Sequence, residues 1–354
     1  MNKKQLKNTE WSILICTVIL IAIGLVALAS ATKNSEFEDF KKQIIWVVIS
    51  IPLLITATLV DYKSIAKISI GFYIASIILL IAVLLTSAIN GATSWFNLGP
   101  ISIQPAEFSK IAVVLFLANI MSKMSKIEIN KPVKLVMILG IALVPVLLII
   151  MQPDYGTAMA YVVATVVMLY VAGIDKKYII VAILLIIIAV PLLYFFVLPE
   201  HAKQRIDVYL NPYLDPRGAG YNIIQSKLAI GAGRLLGQGW MNGTQTHLGF
   251  LYPKTTDFIF AVIGEELGFI ACVSIIILYI ILITRAINIA KSARDDLGSY
   301  IAAGISRNIY ISCVRKYRYD NGTITNNRSA TSIYKLWWKL NDYEYGLYWT
   351  FTKH

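Results

Sequence analysis

A few ionisable residues stand at the ends of long apolar runs, where charge is expensive and therefore informative. Glu107 and Lys110 are three residues apart and share one helical face at the start of an apolar stretch. Asp154 lies in Gln152-Pro153-Asp154-Tyr155-Gly156-Thr157, a tight turn between two apolar runs. Asp257 immediately precedes another run, and Glu265 and Glu266 follow about two turns inside it. A carboxylate at such an edge can have its pKa raised into a useful range for a general base. Each group also has a structural reading. Glu107 and Lys110 can be an ion pair, Asp154 and Asp257 can be helix N-caps, and Glu265 or Glu266 can satisfy polar partners inside a bundle. The stretch 199–257 adds Lys203, Arg205, Arg217, Lys227 and Arg234, a basic set suited to phosphate groups or anionic lipid heads. His247 stands alone and reads as structural. The glycines 231, 233, 237 and 239 follow no strand, so they are not a dinucleotide fingerprint.

The elements that must carry these residues are membrane helices. Of 354 residues, 57% are hydrophobic and only 15% charged, with mean hydropathy +0.68. Soluble domains carry about 25% charged residues. The composition excludes a disordered chain, a disulfide-rich secreted domain and an ordinary soluble enzyme. Net charge is +12, but no soluble basic module with interleaved aromatics is visible, so nucleic acid is not an expected partner. The three cysteines are far apart and show no metal-ligand spacing.

A bilayer core needs roughly 20 apolar residues per helix. Eight stretches meet this: 11–30, 43–60, 65–86, 104–122, 132–150, 156–174, 178–198 and 258–284. The first is too long for a cleaved signal peptide and lacks a small-x-small site. Lysines 3, 4 and 7 precede the first span, and basic residues follow spans two, four, six and eight. The alternate loops are mixed or nearly uncharged. Positive-inside bias places the N-terminus in the cytoplasm and the long 199–257 loop outside. The expected fold class is an all-α integral membrane protein, a polytopic helix bundle with that loop between spans seven and eight. Its proline and glycine density implies defined turns, and Leu228 to Ile230 with Leu235-Leu236 could dip into the membrane edge. An anionic, lipid-linked substrate would fit such an outer face.

Four ordered motifs resemble one family. They are Trp95 with Gln104-Pro105-Ala106-Glu107 and Lys110; Gln152 to Thr157; Asn211-Pro212, Asp215-Pro216, Gly218, Gly220-Tyr221-Asn222 and Gln225-Ser226; and Thr256-Asp257-Phe258-Ile259-Phe260-Ala261 with Glu265-Glu266-Leu267-Gly268. From about residue 11 to 305 the chain resembles the SEDS family (shape, elongation, division and sporulation). Gly239-Trp240 and Gly243-Thr244-Gln245 look closer to its RodA branch than to FtsW. The resemblance implies a ten-helix enzyme of the bacterial plasma membrane. It would polymerise lipid II, a disaccharide-pentapeptide on undecaprenyl pyrophosphate, into glycan strands for cell elongation and shape. Asp257 would be the catalytic general base, and Trp95, Glu107 and Lys110 would belong to the working cavity. Asp154, Arg205, Lys227, Glu265 and Glu266 complete the expected substrate-binding set. No cofactor is firmly implied, though a divalent cation such as Mg would suit the pyrophosphate. The implied partner is a class B penicillin-binding transpeptidase. A flippase for the lipid-linked precursor, or a non-catalytic scaffold for that transpeptidase, would use similar features.

Two departures stand out. The family has Pro-Glu-x-His before Thr-Asp, where this chain has Tyr252-Pro253-Lys254-Thr255, and it favours glycine where Arg234 stands.

From about Ser306 the composition changes abruptly. Residues 307–354 are rich in Tyr, Asn, Thr, Lys and Trp and hold no apolar run of spanning length. The family expects two more helices there, with a Pro-Phe-x-Ser-Tyr-Gly-Gly-Ser motif. Permitted codons for Val314 to Lys339, read one nucleotide later, yield F-E-N-I-G and then, in order, V-P-L-P-F-I-S-Y-G-G-S. Trp337-Trp338, necessarily tgg-tgg, becomes Gly-Gly. The chain thus divides into a SEDS-type domain, 1–305, and an out-of-frame polar tail, 306–354. Sequencing of gene and transcript across codons 295–354 is expected to show a single-nucleotide shift near codon 306. A gene with no in-register alternative frame there would end this reading.

Overall fold

The computed structural model describes residues 10–86, 94–98, 101–192, 195–196, 203–204, 207–208, 211–218, 220–251, 254–255 and 258–306. The chain is an all-helical membrane protein. In order come α1 (Trp11–Ala31), α2 (Glu38–Leu59), α3 (Tyr62–Lys67), α4 (Ser69–Leu84), β1 (Phe96–Leu98), β2 (Ile101–Ile103), α5 (Pro105–Met121), α6 (Lys126–Ile129), α7 (Pro132–Met151), α8 (Tyr155–Val171) and α9 (Lys176–Leu192). After these come α10 (Tyr221–Ala232), α11 (Thr244–His247), α12 (Ile259–Ser292) and α13, residues 296–306. Among the described residues, α1, α7 and α12 are long and apolar enough to cross a membrane, and α4 and α8 are shorter apolar helices.

Helix starts follow local chemistry. Pro105 and Pro132 occupy the first turns of α5 and α7, where a missing N–H is harmless. Asp61 caps α3, and Ser125 with Glu128 forms a capping box on α6. Asp295 accepts from Gly298 N–H at the start of α13.

Three details differ from the sequence expectation. The stretch 65–86 is two helices, α3 and α4, joined at Ile68. Between the helices, β1 and β2 add a small antiparallel hairpin pairing Phe96 with Ile103. Three-residue strands carry too little periodicity to be read from sequence. The last span runs on to Ser292 and is broken at Gly268, which has φ 80° and ψ −176°. Tail residues 307–354 lie outside the described residues.

Lipid tails are as apolar as leucine, so helices in a membrane associate through close packing and polar contacts. The α1–α12 contact fits that rule. Gly24, Ala27 and Ala31 are buried on α1, and Ala261, Gly264, Ala286 and Ala290 on α12. The pairs α4–α5, α7–α8 and α10–α12 are the other main contacts. Gly304 of α13 meets α5 and α8 closely, since a Cβ there would sit 2.7 Å from Val114 Cγ1 and 2.8 Å from Met168 Sδ. The start of α13 is pinned from α3: Tyr62 Oη donates to Asp295 at 2.9 Å, and Lys63 Nζ pairs with the same oxygen at 2.8 Å. Burial would raise the Asp295 carboxyl, but these donors and the Gly298 N–H outweigh it and hold the group low.

The break at Gly268 is closed by the loop that precedes α12. The N–H groups of Gln238 and Gly239 donate to Glu265 O and Glu266 O at 2.9 and 3.1 Å. Phe269 N–H and Ile270 N–H donate back to Arg234 O and Leu235 O at 2.9 and 3.2 Å. A helix interrupted within an apolar segment must recover its backbone hydrogen bonds from neighbouring protein, and these four do so. The approach is close enough to require glycine on both sides. A Cβ on Gly268 would lie 2.3 Å from Gly237 N, and one on Gly237 would lie 2.1 Å from Glu266 O.

Gly268→Ala should therefore lower the melting temperature in detergent, by backbone strain of about 1–3 kcal/mol before the clash is counted. Gly140→Ala, at a site on α7 with nothing within 4 Å of the added methyl, is the control. It should be neutral or stabilising by up to about 1 kcal/mol. Equal melting temperatures for the two variants would contradict this account.

Candidate functional site

The first cluster gathers where α4, the hairpin, α5 and the α7–α8 turn meet. Ser94 Oγ donates to Gln152 O at 3.2 Å, and Gln152 Nε2 donates to Leu80 O at 3.1 Å. Trp95 is buried beside them at the head of β1. Gln104 Nε2 donates to Asp154 Oδ2 at 2.9 Å, while the other carboxylate oxygen accepts from Thr157 N–H at 3.1 Å. Asp154 is thus the N-cap of α8, as its turn suggested, and it also ties the start of α5 to that helix.

One turn into α5, Glu107 and Lys110 form an ion pair at 2.8 Å with both side chains more than nine-tenths buried. Glu107 Oε1 has no hydrogen-bond partner. A buried pair left with spare acceptor capacity is poorly compensated for its desolvation. Lys110 lines a narrow gap between α5 and α8 with Tyr161, Thr165, Val114, Leu117 and Met168. The gap holds about 10 Å³, room for a single water, so it is a packing defect beside the ion pair and not a ligand pocket. Tyr161 Oη donates to Ala106 O at 2.5 Å and joins α8 to the start of α5. Gln104 stands in the family motif without a role of its own, and Tyr161 was not singled out from sequence. The available signal was a polar side chain inside an otherwise apolar helix.

The second cluster joins the loop that precedes α12 to α12 and α1. Glu265 is fully buried and accepts four hydrogen bonds. They come from Thr244 Oγ1 at 3.3 Å, Gln245 N–H at 2.7 Å, Thr246 N–H at 3.0 Å and Thr246 Oγ1 at 2.7 Å. Glu266 accepts from Ser30 Oγ at 2.6 Å and Met241 N–H at 3.2 Å, and its Oε1 lies 3.2 Å from His247 Nε2. Both carboxylates are engaged in holding the loop, the structural alternative open from sequence. His247 is not isolated, since it shares that corner with Ser30 and Glu266. Lys254 Nζ donates to Thr246 O at 2.9 Å. Burial pushes the Lys254 ammonium below its ordinary pKa, while the Glu266 charge opposes the shift.

Lys227 is exposed on α10, apart from these buried groups. Asp257 and Arg205 lie outside the described residues. Arg234 adopts φ +50°, the left-handed conformation that favours glycine, which accounts for the family's preference there. Among the described residues no three His, Cys, Asp or Glu side chains converge. The described buried carboxylates of Glu107, Asp154, Glu265 and Glu266 face lysine, N–H, amide and hydroxyl donors.

A polytopic helical membrane protein, with buried charge and a loop folded onto a broken helix, is the class that the fold and site define. The chain belongs to the FtsW/RodA/SpoVE family of cell cycle proteins, whose pattern matches residues 10–324. The peptidoglycan glycosyltransferase MrdB of Escherichia coli K12 is 41% identical over 244 residues, covering 68% of this chain and 64% of that protein. The stage V sporulation protein E of Bacillus subtilis is 36% identical over 304 residues, covering 83% of this chain and 82% of that protein. The fold is shared with the Thermus thermophilus rod shape determining protein RodA, at TM-score 0.69 and 21% identity over 98% of this chain and 97% of that one. It is also shared with a chain from a peptidoglycan synthase complex, at TM-score 0.80 and 22% identity over 98% of each.

Breaking the α5 ion pair tests whether it is a coupled unit. Glu107→Gln and Lys110→Met should each destabilise the protein in detergent by about 3–5 kcal/mol. The double variant should cost clearly less than the sum, because neither charge is then stranded. Additivity within about 0.5 kcal/mol would show that the two groups do not depend on each other.

Proposed function

We propose that this protein is a peptidoglycan glycosyltransferase of the RodA type, polymerising lipid II at the outer face of the bacterial plasma membrane. The observation that carries the reading is the family match across residues 10–324, with 41% identity to a named peptidoglycan glycosyltransferase over 244 residues, in a chain that keeps the buried Glu107–Lys110 pair. Asp257 is the proposed general base. It takes the proton of the acceptor 4-hydroxyl as that oxygen forms a bond to the anomeric carbon, and the bond from that carbon to the pyrophosphate oxygen breaks. Undecaprenyl pyrophosphate leaves with the electron pair. Lys110 and the basic loop residues Arg205 and Lys227 would attract the pyrophosphate. A divalent cation such as Mg would suit the pyrophosphate, and no step is routed through it.

The proposed topology has the N-terminus in the cytoplasm, eight crossings in the frame as given, and the 199–257 loop outside. Eight helices lie over the eight apolar stretches, α1, α2, α4, α5, α7, α8, α9 and α12, which supports that count. The proposed partner is a class B penicillin-binding transpeptidase, a reading supported by the similarity to a chain from a peptidoglycan synthase complex. Restoring the frame after residue 306 would supply the two missing helices beside α13.

The test is polymer formation from lipid II by purified protein in detergent, with the frame as given and with it restored. The restored protein should make glycan polymer, and Asp257→Ala should reduce the rate by about 100-fold or more. Polymer unchanged in Asp257→Ala would remove that residue as the base. Movement of the lipid-linked precursor across vesicles without any polymer would favour the flippase.

A further inference from the structure

Residues 221–243 run along α12 and then back. Ile230 of α10 packs on Gly264, where a Cβ would lie 3.0 Å from Ile230 Cγ1. Gly233 presses on the Gly264 carbonyl. Farther along, Arg234 O and Leu235 O accept from Phe269 N–H and Ile270 N–H. The chain then reverses, because Gln238 and Gly239 donate to Glu265 O and Glu266 O. Gly243 comes back to the Glu265 carboxylate. The far end of this hairpin is Leu235-Leu236, level with Phe269 and Ile270.

That level lies inside hydrocarbon. After Glu266, α12 carries no charged side chain until Arg285. Phe269 and Arg285 are sixteen residues apart, about 24 Å at 1.5 Å per residue. A bilayer core is about 30 Å thick. With Arg285 at one face of the core, Leu235 and Leu236 stand about 6 Å inside the other.

The side chains at that level face outward. Leu235 and Leu236 are 65% and 79% exposed, and Phe269 and Ile270 are 56% and 54% exposed. Exposed apolar residues of a spanning helix meet acyl chains, and the hairpin tip continues that surface at the same depth. Trp240, on the returning arm, donates its indole N–H to Val26 O at 3.1 Å while its ring stays half exposed. Val26 is one turn along α1 from Ser30, the partner of Glu266. Tryptophan suits such a place at the edge of the core, apolar on its ring and polar at its N–H. Arg234 is exposed beside the tip, and its aliphatic stem can carry the guanidinium back to the headgroups.

We propose that residues 221–243 form a re-entrant hairpin whose tip, Leu235-Leu236, is inserted among the acyl chains of the bilayer. Lipid is the occupant of this surface because the tip extends, without a step in depth, the exposed apolar face of a membrane-spanning helix. Insertion also holds the hairpin against the break in α12. Withdrawal would bring two leucines into water and strand the four backbone groups at Gly268.

Spin-label accessibility on the full 354-residue chain in phospholipid nanodiscs tests the insertion. Labels are placed at Leu236→Cys, Ile277→Cys and Lys177→Cys, with the three native cysteines replaced by alanine. Ile277 is half exposed well inside α12 and reports acyl chains, while Lys177 is exposed at the start of α9 and reports water. The label at 236 should collide with oxygen and lose its collisions with a water-soluble nickel chelate, as at 277. Chelate access at 236 equal to that at 177 would overturn the insertion. Protection from both oxygen and chelate would also overturn it, because protein would then cover the tip. Leu236→Asp gives a readout without a label. A carboxylate is costly in hydrocarbon, so hydrogen exchange at Gln238, Gly239, Phe269 and Ile270 should speed by about tenfold in nanodiscs. Leu214→Asp, at an exposed leucine before the hairpin, should leave those amides unchanged. Parental protection retained in Leu236→Asp would overturn the proposal.

Discussion

Inside a bilayer a backbone N–H or C=O without a partner costs several kcal/mol, and that constraint shapes the contact between α12 and the loop that precedes it. Helix α12 stops being helical at Gly268, yet the four groups exposed by the break are met by residues 234–239 of the loop. The loop cannot move away without stranding those groups in an apolar setting. The same constraint explains the glycines at 237 and 268, because two backbones at hydrogen-bonding distance leave no room for a side chain. Everything that the loop carries toward the membrane inherits its position from this contact.

Polar side chains then finish what the backbone begins. Glu265 and Glu266 follow one another on α12 but bind different parts of the structure, the first α11 and the second α1. Adjacent residues on a helix point about 100° apart, so one turn can hold two neighbours. On the other side of the molecule Asp154 and Gln104 join α8 to the start of α5, and Tyr161 closes the same seam. These contacts suit a membrane, where apolar packing alone gives helices little reason to choose one partner over another. The buried Glu107–Lys110 pair does not belong to this structural set in the same way. Its carboxylate keeps one oxygen without a donor, and its ammonium borders a gap with room for a single water. Groups whose desolvation is incompletely offset are a reasonable place to find substrate chemistry.

Helix α13 draws on both kinds of contact. It packs its Gly304 against Val114 and Met168, which also line the gap beside Lys110. Its first turn is pinned by Lys63 and Tyr62 through Asp295. Close packing at one end and a shared carboxylate at the other thus hold a helix of eleven residues against α3, α5 and α8.

Much was legible in the residues alone. Apolar runs of bilayer length announced the helices, because hydrophobic thickness dictates length. Asp154 before Tyr155 and prolines at 105 and 132 announced helix starts, because capping is local chemistry. The ionisable residues at the span ends marked candidate groups, because charge near lipid needs a reason. What the tertiary structure alone decided was which of these groups face one another. That Glu265 serves Thr246, that Glu266 serves Ser30 across 236 residues, and that the ends of a broken helix are completed by a loop depend on contacts between distant segments. Periodicity and capping report on neighbours in the chain. Hydrogen bonds between segments are set by how the helices pack, and packing is not written in any one of them.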